Sequence, residues 1–356
     1  MHKILSIFSF NGVCALKRFI RKGILFLVLL FTIFGLISPV FVYKTQHMGK
    51  LKEGLYLSDD QYDVVFMGSS HMNGGMDPNV LWKQHGITSF NYATGGQPIN
   101  VTYYLLKDVL KKHQHPIVVL DVFYLGMTNQ YGERGLVSNA IDNMKFSFNK
   151  LDAIWNCTPP EDRISYLFPV LKYHFRWSSL EWKDFGFDCS SVYYTKGFVA
   201  GTDKYGKPIS KWEDTDSRID IPQKSLEYLN KIIELSKTED FQLILVNMPC
   251  DYSGPNQQSG WINDCEALFN TVADYAESNQ IPFLDLYDLA EDIGIDFAND
   301  MNNSGHLNLW GAYKVGTYFG DYLAQNYDLT DHRSDSAYAQ WNEDYKYSQV
   351  ATILKK

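Results

Sequence analysis

The sequence predicts an α/β protein built on a doubly wound, five-stranded parallel sheet, with one membrane-spanning helix before it. Short apolar runs rich in β-branched residues alternate with longer amphipathic segments, which is the order of strands and helices in such a sheet. The runs at 62–67 and 115–122 are almost continuously apolar, as is typical of parallel strands covered on both faces. Residues 23–42 carry no charge, and 20 apolar residues are enough to span a bilayer.

The alternation places each element in order. The predicted strands are 62–67, 87–93, 115–122, 241–248 and 281–286, and the predicted helices are one capped by Asp77-Pro78, then 98–112, 222–237, 261–278 and 309–325. Right-handed crossovers between these strands give an α/β/α sandwich. Between 127 and 221 no period is sustained, so we expect an insertion packed on a single domain that covers 61–326. The tyrosines of the polar tail, 327–356, favour docking over disorder, but the sequence does not indicate where the tail docks.

The N-terminal region predicts an uncleaved membrane anchor. All five charges in residues 1–22 are basic, and the apolar stretch 23–42 stays bulky to its end instead of finishing in small residues. Positive charge before the span places residues 1–22 in the cytoplasm, and leaves a linker, 43–60, and the main domain outside the cell membrane.

Charge and cysteine content restrict the partners. Five of the 32 basic residues precede the anchor, so the rest of the chain has 27 basic and 41 acidic residues and a net charge of −14. This negative charge disfavours binding to nucleic acid and anionic lipid. Four of the five cysteines fall on the outer side, where disulfides persist. Cys157 with Cys189 and Cys250 with Cys265 would close the shortest loops, and four unpaired buried thiols are the alternative. No zinc-type spacing occurs, so neither a metal nor an organic cofactor is expected.

Three segments directly follow predicted strands, where ligands bind in doubly wound sheets. The first is Gly-Ser-Ser-His at 68–71, whose glycine permits a sharp turn that presents a hydroxyl. The second is 91–98, where Gly96 offers a backbone N–H that could stabilise an oxyanion. The third is the polar loop 300–312, whose His306 could serve as the base that a serine nucleophile needs. Ser69 competes with Ser70 as the nucleophile, and His71 competes with His306 as the base.

These segments together resemble the SGNH (GDSL-type) hydrolase family. Ser70 matches the nucleophile of the family's first block, Gly96 matches the oxyanion glycine of its second block, and His306 matches the histidine of its last block. The pattern is most similar to membrane-anchored members linked to cell-surface polymer acylation, such as the D-alanyl-lipoteichoic acid biosynthesis protein and alginate O-acetylation proteins. The resemblance covers 62–125 and 241–325, and it implies a serine-dependent acyltransferase or esterase.

Two departures from the family pattern affect the expected site. Asn303 stands where the family has the aspartate that orients the histidine, and Asp300 is a substitute if its loop folds back. The family's third block is absent, so beside the N–H groups of Ser70 and Gly96 one oxyanion donor has no counterpart.

The expected substrate is a glycan or related polymer of the cell envelope, with a membrane-bound protein as a candidate acyl donor. Aromatic faces stack on sugars and arginine offers a fork of donors, which makes Tyr173, His174, Arg176 and Trp177 candidate substrate-binding residues; core and loop packing is their alternative role. A non-catalytic SGNH-like subunit that binds polymer or partner proteins is the competing functional hypothesis.

Overall fold

The structure is a computed structural model that describes residues 2–44, 46–186, 194–209, 215–252 and 260–353. It divides into two compact units. One comprises Met1–Val42 and Ile164–Phe187, and the other comprises Tyr43–Arg163 and Asp188–Lys356. We call them the helical unit and the sheet unit and describe each by itself.

The sheet unit contains the five-stranded parallel sheet that the sequence predicts. Its strands are β1 Val64–Met67, β2 Ser89–Asn91, β3 Ile117–Asp121, β4 Gln242–Asn247 and β5 Phe283–Asp285. They are ordered β2-β1-β3-β4-β5 and every neighbouring pair is parallel. The predicted fold class is therefore confirmed, although each observed strand is two to four residues shorter than its apolar run. A separate antiparallel hairpin joins β6 Met301–Asn303 to β7 His306–Leu307.

The helices follow the predicted alternation closely. They are α1 His2–Phe41, α2 Gln46–Lys52, α3 Ser70–Gly75, α4 Pro78–His85, α5 Ile99–Lys112, α6 Arg134–Ile141, α7 Phe148–Cys157, α8 Arg163–Leu167, α9 Val170–Tyr173, α10 Trp182–Phe185, α11 Gln223–Thr238, α12 Cys265–Ser278, α13 Ala290–Ile293, α14 Phe297–Asp300, α15 Leu309–Asn326, α16 Ala339–Tyr345 and α17 Gln349–Ile353. A π-helix, Glu53–Leu57, and 3₁₀ turns at Phe123–Gly126, Pro160–Asp162, His174–Ser179, His332–Ser334 and Ser336–Tyr338 complete the elements of regular structure that we describe.

Two groups of helices cover the sheet. Helices α3, α4 and α15 pack together, while α5 packs with α7 and α11. Right-handed connections place the two groups on opposite faces of a sheet with this strand order. The core between them is dominated by aliphatic side chains from the strands, and β1 and β3 are buried along their full length, which explains their near-continuous apolar sequence.

The C-terminal tail is part of the sheet unit and packs against its other elements. Trp341 is 1% exposed, and its ring lies 5.1 Å from that of Trp82. Lys196 and Asp344 form an ion pair of 2.9 Å in which both side chains are fully buried. Because an unpaired charge would be costly there, this pair ties the tail to the described end of the insertion.

The helical unit consists of α1 and the segment 164–187. Residues Ala15–Phe41 of α1 contain an 18-residue stretch with a mean hydropathy of 2.7, which is long and apolar enough to cross a membrane. Phe168 stacks on Phe31 at 5.3 Å and meets Phe34 edge-on at 6.0 Å.

Candidate active site

The nucleophile loop begins where β1 ends. Gly68 has φ +134°, and a Cβ there would lie 2.6 Å from the Cβ of Asp121, so only glycine fits this turn. Ser70 is the first residue of α3, and a backbone N–H at the first position of a helix has no acceptor within that helix. The turn thus presents a hydroxyl and an N–H donor at the carboxyl edge of the sheet.

Ser69 has a structural role that distinguishes it from Ser70. Its hydroxyl donates to Asp121 Oδ2 at 2.5 Å, its backbone N–H donates to the same oxygen at 3.1 Å, and the residue is fully buried. Its Oγ also accepts the N–H of His71, which makes it the N-cap of α3. Ser70 is partly exposed and lines a cavity, so of the two serines it is the one that a substrate can reach.

Ser70, His306 and Asn303 form a continuous hydrogen-bonded series. The Ser70 Oγ lies 2.8 Å from His306 Nε2, and His306 Nδ1 lies 3.0 Å from Asn303 Oδ1. Asn303 Oδ1 also accepts the N–H of Gly305 at 2.9 Å, which identifies this atom as the amide oxygen. His306 Nδ1 is therefore the protonated nitrogen, and Nε2 is left to accept the serine proton.

The β6–β7 hairpin creates this arrangement, because Asn303 and His306 face one another across it. Burial lowers the pKa of His306 from its ordinary value of 6.5, and among the described residues no carboxylate opposes this effect. The imidazole is thus neutral at pH 7 and able to act as a base. The imidazolium that forms on proton transfer has the Asn303 carbonyl as its partner at Nδ1, and no negative charge there.

Asp300 does not substitute for the missing aspartate. Its Oδ2 accepts the backbone N–H of Asp296 at 2.7 Å and the ammonium of Lys314 at 2.6 Å. Because Asp300 is the last residue of α14, its side chain turns back toward that helix and α15 instead of toward the His306 ring. The proposed role as a positioning residue is corrected, and Asp300 anchors the base of the hairpin instead.

His71 is a wall of the site and does not contact Ser70 as a base. Its ring lies 3.8 Å from the ring of Phe123 and 5.3 Å from that of His306. Burial, and secondarily the neighbouring His306, lowers its pKa well below 6.5, so it too is neutral at pH 7. Within the described part of the chain, its buried Nδ1 has no hydrogen-bond partner.

The two predicted oxyanion donors, the backbone N–H groups of Ser70 and Gly96, differ in their position relative to the site. The Ser70 N–H lies at the N-terminus of α3 beside its own hydroxyl. Gly96 has φ +60°, and a Cβ there would lie within 2.1 Å of Leu136, so the glycine is required for packing against α6. Gly96 is not among the described residues that line the cavity, and its role as an oxyanion donor stays a prediction.

Two further residues support the site; Asn91 matches the second block of the family together with Gly96, whereas Asp121 was given no role from the sequence. Asp121 receives hydrogen bonds from Ser69 and from the N–H of Phe123, and burial raises its pKa. Asn91, at the end of β2, donates to the carbonyls of Met72 and Met76 at 2.8 and 2.9 Å and so fixes α3. The available signal for Asp121 was its place as the one polar residue that ends the otherwise apolar strand β3.

The Ser70–His306 pair opens into a cavity of about 210 Å³. Its described lining includes four aromatic side chains, one carboxylate and two thiols: Ser70, His71, Phe123, Tyr124, Cys250, Asp251, Tyr252, Trp261, Cys265, Asn303, Ser304, Gly305 and His306. Among the residues with described side chains, no group of histidine, cysteine and carboxylate side chains could hold a metal ion. The arrangement has the parts for acyl transfer through a serine ester.

The expected disulfide between Cys250 and Cys265 is not formed. Both are free buried thiols in the cavity wall, and burial raises the pKa of Cys265 to about 11. The Cys265 Sγ instead lies 3.9 Å from the Ile262 carbonyl at the start of α12. Cys157 is also a free buried thiol, and its expected partner Cys189 lies outside the described residues.

The candidate sugar-binding residues lie in the helical unit. Trp177 is exposed, while Arg176 is buried and donates to the Phe41 carbonyl at 2.6 Å and to Asp184 at 2.8 Å. Tyr173 ends α9, and His174 Nδ1 lies 3.1 Å from the Leu171 carbonyl. The arginine donors that a sugar would use are thus engaged within the unit. Sugar binding by the four residues stays a prediction.

Comparison with known proteins finds no matching family model and no matching curated protein. Among solved structures, a proposed acylhydrolase from Bacteroides fragilis aligns with a TM-score of 0.38 and 14% identity over 77% of this chain and 94% of its own. A GDSL-like lipase from Bacteroides thetaiotaomicron aligns with a TM-score of 0.37 and 13% identity over 79% of this chain and 99% of its own. Both likenesses are too distant to say anything about activity, which has to be argued from the site itself.

Proposed function

We propose that this chain is a serine-dependent acyl esterase or acyltransferase, anchored in the cell membrane by α1 and acting outside it on an envelope polysaccharide or related polymer. The observation that carries the proposal is the 2.8 Å contact between Ser70 Oγ and His306 Nε2, with the ring oriented by Asn303. A serine hydroxyl needs such a base, and this spacing is within the reach that proton transfer requires.

The proposed reaction begins when the Ser70 oxygen attacks the acyl carbonyl and its proton passes to His306 Nε2. The carbonyl oxygen becomes an oxyanion, which the Ser70 N–H stabilises. The tetrahedral intermediate then collapses, the leaving alcohol takes the proton from His306, and the acyl group remains as an ester on Ser70. A water or a sugar hydroxyl, deprotonated by the same imidazole, releases the acyl group in the second half of the reaction.

Transfer to a polymer hydroxyl is the favoured outcome of that second half. A membrane tether keeps the site near an acyl donor held in the same membrane. The effective concentration of such a donor at the site is higher than that of esters that diffuse in solution. The likeness of the motifs to polymer-acylating members of the SGNH family points the same way. An acetyl group is the simplest acyl group that fits a cavity of about 210 Å³.

Serine-directed labelling tests the proposal. The detergent-solubilised full chain should react with a fluorophosphonate probe, and Ser70→Ala and His306→Ala should abolish or strongly reduce the reaction. Ser70→Ala removes the nucleophile while Ser69 stays as a matched control hydroxyl one residue away. Wild-type protein that does not label, or a Ser70→Ala protein that labels equally, would overturn the proposal.

A non-catalytic polymer-binding subunit is the second candidate, and it draws support from Asn303 in place of an acid. The short contact between Ser70 and His306 argues against it, since a vestigial site has no reason to keep a hydrogen bond of 2.8 Å. Acetate release measured with and without a polysaccharide acceptor separates the remaining options. Release that needs no acceptor indicates hydrolysis, and acceptor-dependent acetylation indicates transfer.

A further inference from the structure

Residues 164–187, which we call the interfacial segment, expose an unusual set of large apolar side chains. Trp182 and Trp177 are 91% and 74% exposed, and several neighbours are also exposed: Leu171, Phe175 and Phe185. Contiguous apolar surface of this kind marks a site that contacts another molecule or a membrane. The sheet unit's catalytic cavity makes no use of these residues.

The interfacial segment is packed along the last part of α1. Phe168 contacts Phe31 and Phe34, and the N–H of Val170 donates to Ser38 Oγ at 3.3 Å. From Phe31 to the end of α1 at Phe41 is about 15 Å at the rise of an α-helix. The segment therefore runs beside the C-terminal part of the stretch that is apolar enough to cross a membrane, from Phe31 to Phe41.

Arg176 links the interfacial segment to the C-terminal end of α1. Its Nη1 donates to the carbonyl of Phe41, the last residue of the helix, and its Nη2 donates to Asp184. The bond to Phe41 satisfies one of the carbonyls that a helix end leaves without a partner, and the ion pair neutralises a buried charge. Trp177, the next residue, is held near the point where the apolar helix ends.

We infer that the interfacial segment lies in the outer leaflet of a lipid bilayer beside the C-terminal part of α1, with Trp177 and Trp182 in contact with lipid at the level of the headgroups. Tryptophan is enriched at that depth because its ring is apolar while its N–H can meet water. The exposed pair Lys183 and Glu181, which are 2.8 Å apart, supplies charge that polar headgroups solvate. The inference rests on α1 crossing the membrane, and it assigns Trp177 to lipid instead of sugar.

Quenching by brominated lipid tests the inference. The full chain is reconstituted in vesicles of phosphatidylcholine brominated near the carbonyl end of the acyl chains, and tryptophan fluorescence is compared with that in unbrominated vesicles. The quenched fraction should fall about twofold in a Trp177→Phe/Trp182→Phe variant, because the interfacial rings that contact lipid are removed. Trp82→Phe is the matched control, since Trp82 is 2% exposed and shielded by protein.

Two readouts separate failure of the segment from failure of the anchor. Resistance of the reconstituted protein to alkaline carbonate extraction reports on α1 alone. If the protein resists extraction but the double variant is quenched as strongly as wild type, the inference is wrong. It is also wrong if aqueous iodide, and not the brominated lipid, quenches the fluorescence that Trp177 and Trp182 contribute.

Discussion

Asn303 is the residue that most affects how the site would work. It holds the His306 ring at 3.0 Å through its amide oxygen, and it offers no negative charge to the imidazolium. Burial already lowers the pKa of His306, so the base stays neutral below pH 6.5. Activity that requires the neutral imidazole should therefore persist into mildly acidic solution, with its acid limb centred below pH 6.5.

Asn303→Asp should change this profile. A carboxylate at that position stabilises the imidazolium, which raises the pKa of His306 by about one to three units and moves the acid limb to higher pH. The rate at pH 8 should rise about tenfold or more, because about 1.4 kcal/mol of added stabilisation in the transition state gives a factor of ten.

The measurement is the pH dependence of fluorophosphonate labelling. Asn302→Asp serves as the control, because it adds the same charge one residue away, where the Asn302 side chain accepts the N–H of Asp203. An acid limb that stays in place in Asn303→Asp, or that moves equally in both variants, would contradict the assignment of Asn303 as the residue that positions His306.

Sequence reasoning located Ser70 and His306 because each follows a recognisable strand or loop signal in the family order. It favoured Ser70 over Ser69 through the family pattern alone, since the physical difference between them depends on the Asp121 carboxylate, which comes from a different strand. It was wrong about Asp300, because the side chain of that residue is committed to Lys314, a partner that no local pattern identifies.

At the scale of elements, helix α4 is capped as the sequence predicts, but the capping carboxyl is buried. Asp77 caps the helix by accepting the N–H of Asn79 at 2.9 Å, as the Asp-Pro pattern predicts. The other oxygen, Oδ2, is buried and has no hydrogen-bond partner among the described residues. Burial raises the pKa of Asp77 from 3.8 to about 7.

Asp77→Asn should make stability less dependent on pH. In wild type the folded state holds the Asp77 proton more tightly than the unfolded state, so this group lowers the unfolding free energy as pH rises from about 4 to 7, by on the order of 1.4 kcal/mol per pH unit. Asparagine caps a helix equally well and carries no charge.

Thermal unfolding of the detergent-solubilised chain at pH 5, 6, 7 and 8 measures the effect. The unfolding midpoint of Asp77→Asn minus that of wild type should increase as pH rises to 7 and should then stay constant at higher pH. A difference between the two proteins that does not vary with pH would show that the buried carboxyl is not the cause.

The order of elements along the chain and the boundaries of the predicted helices followed from the alternation of apolar patterns. Strand lengths could not be predicted in this way. Apolar residues such as Tyr62 and Ile87 are buried in the core although they lie outside the paired part of their strands. The insertion escaped prediction because its short helices are held by distant partners; Asn149 of α7, for example, donates to the Tyr104 carbonyl of α5.

For the whole molecule, the notable result is the division into a helical and a sheet unit. The contact of Phe168 with Phe31 joins residues more than a hundred positions apart, and no periodicity in the sequence announces it. Once α1 is removed, Phe168 loses its partner and the interfacial segment exposes still more apolar surface.

Truncation provides the test of this division. A chain that lacks residues 1–42 should self-associate without detergent, whereas the same truncation with 164–187 replaced by a glycine–serine linker of equal length should be monodisperse. Size-exclusion chromatography distinguishes the two, and fluorophosphonate labelling of Ser70 checks that the sheet unit stays folded. Equal behaviour of the two truncated chains would mean that the interfacial segment is not the source of association.

Lys50 bears on where a soluble form of this protein should begin. Its ammonium is fully buried and donates to Asn73 in α3 and to the Gly197 carbonyl, only a few residues after the predicted membrane span ends. A chain cut at residue 60, where the sequence suggests that a linker gives way to the domain, would remove this lysine and loosen the helix that carries Ser70. A chain cut at residue 43 would keep it. For enzymology, the protein that begins at residue 43 should therefore be more suitable than the one that begins at residue 60.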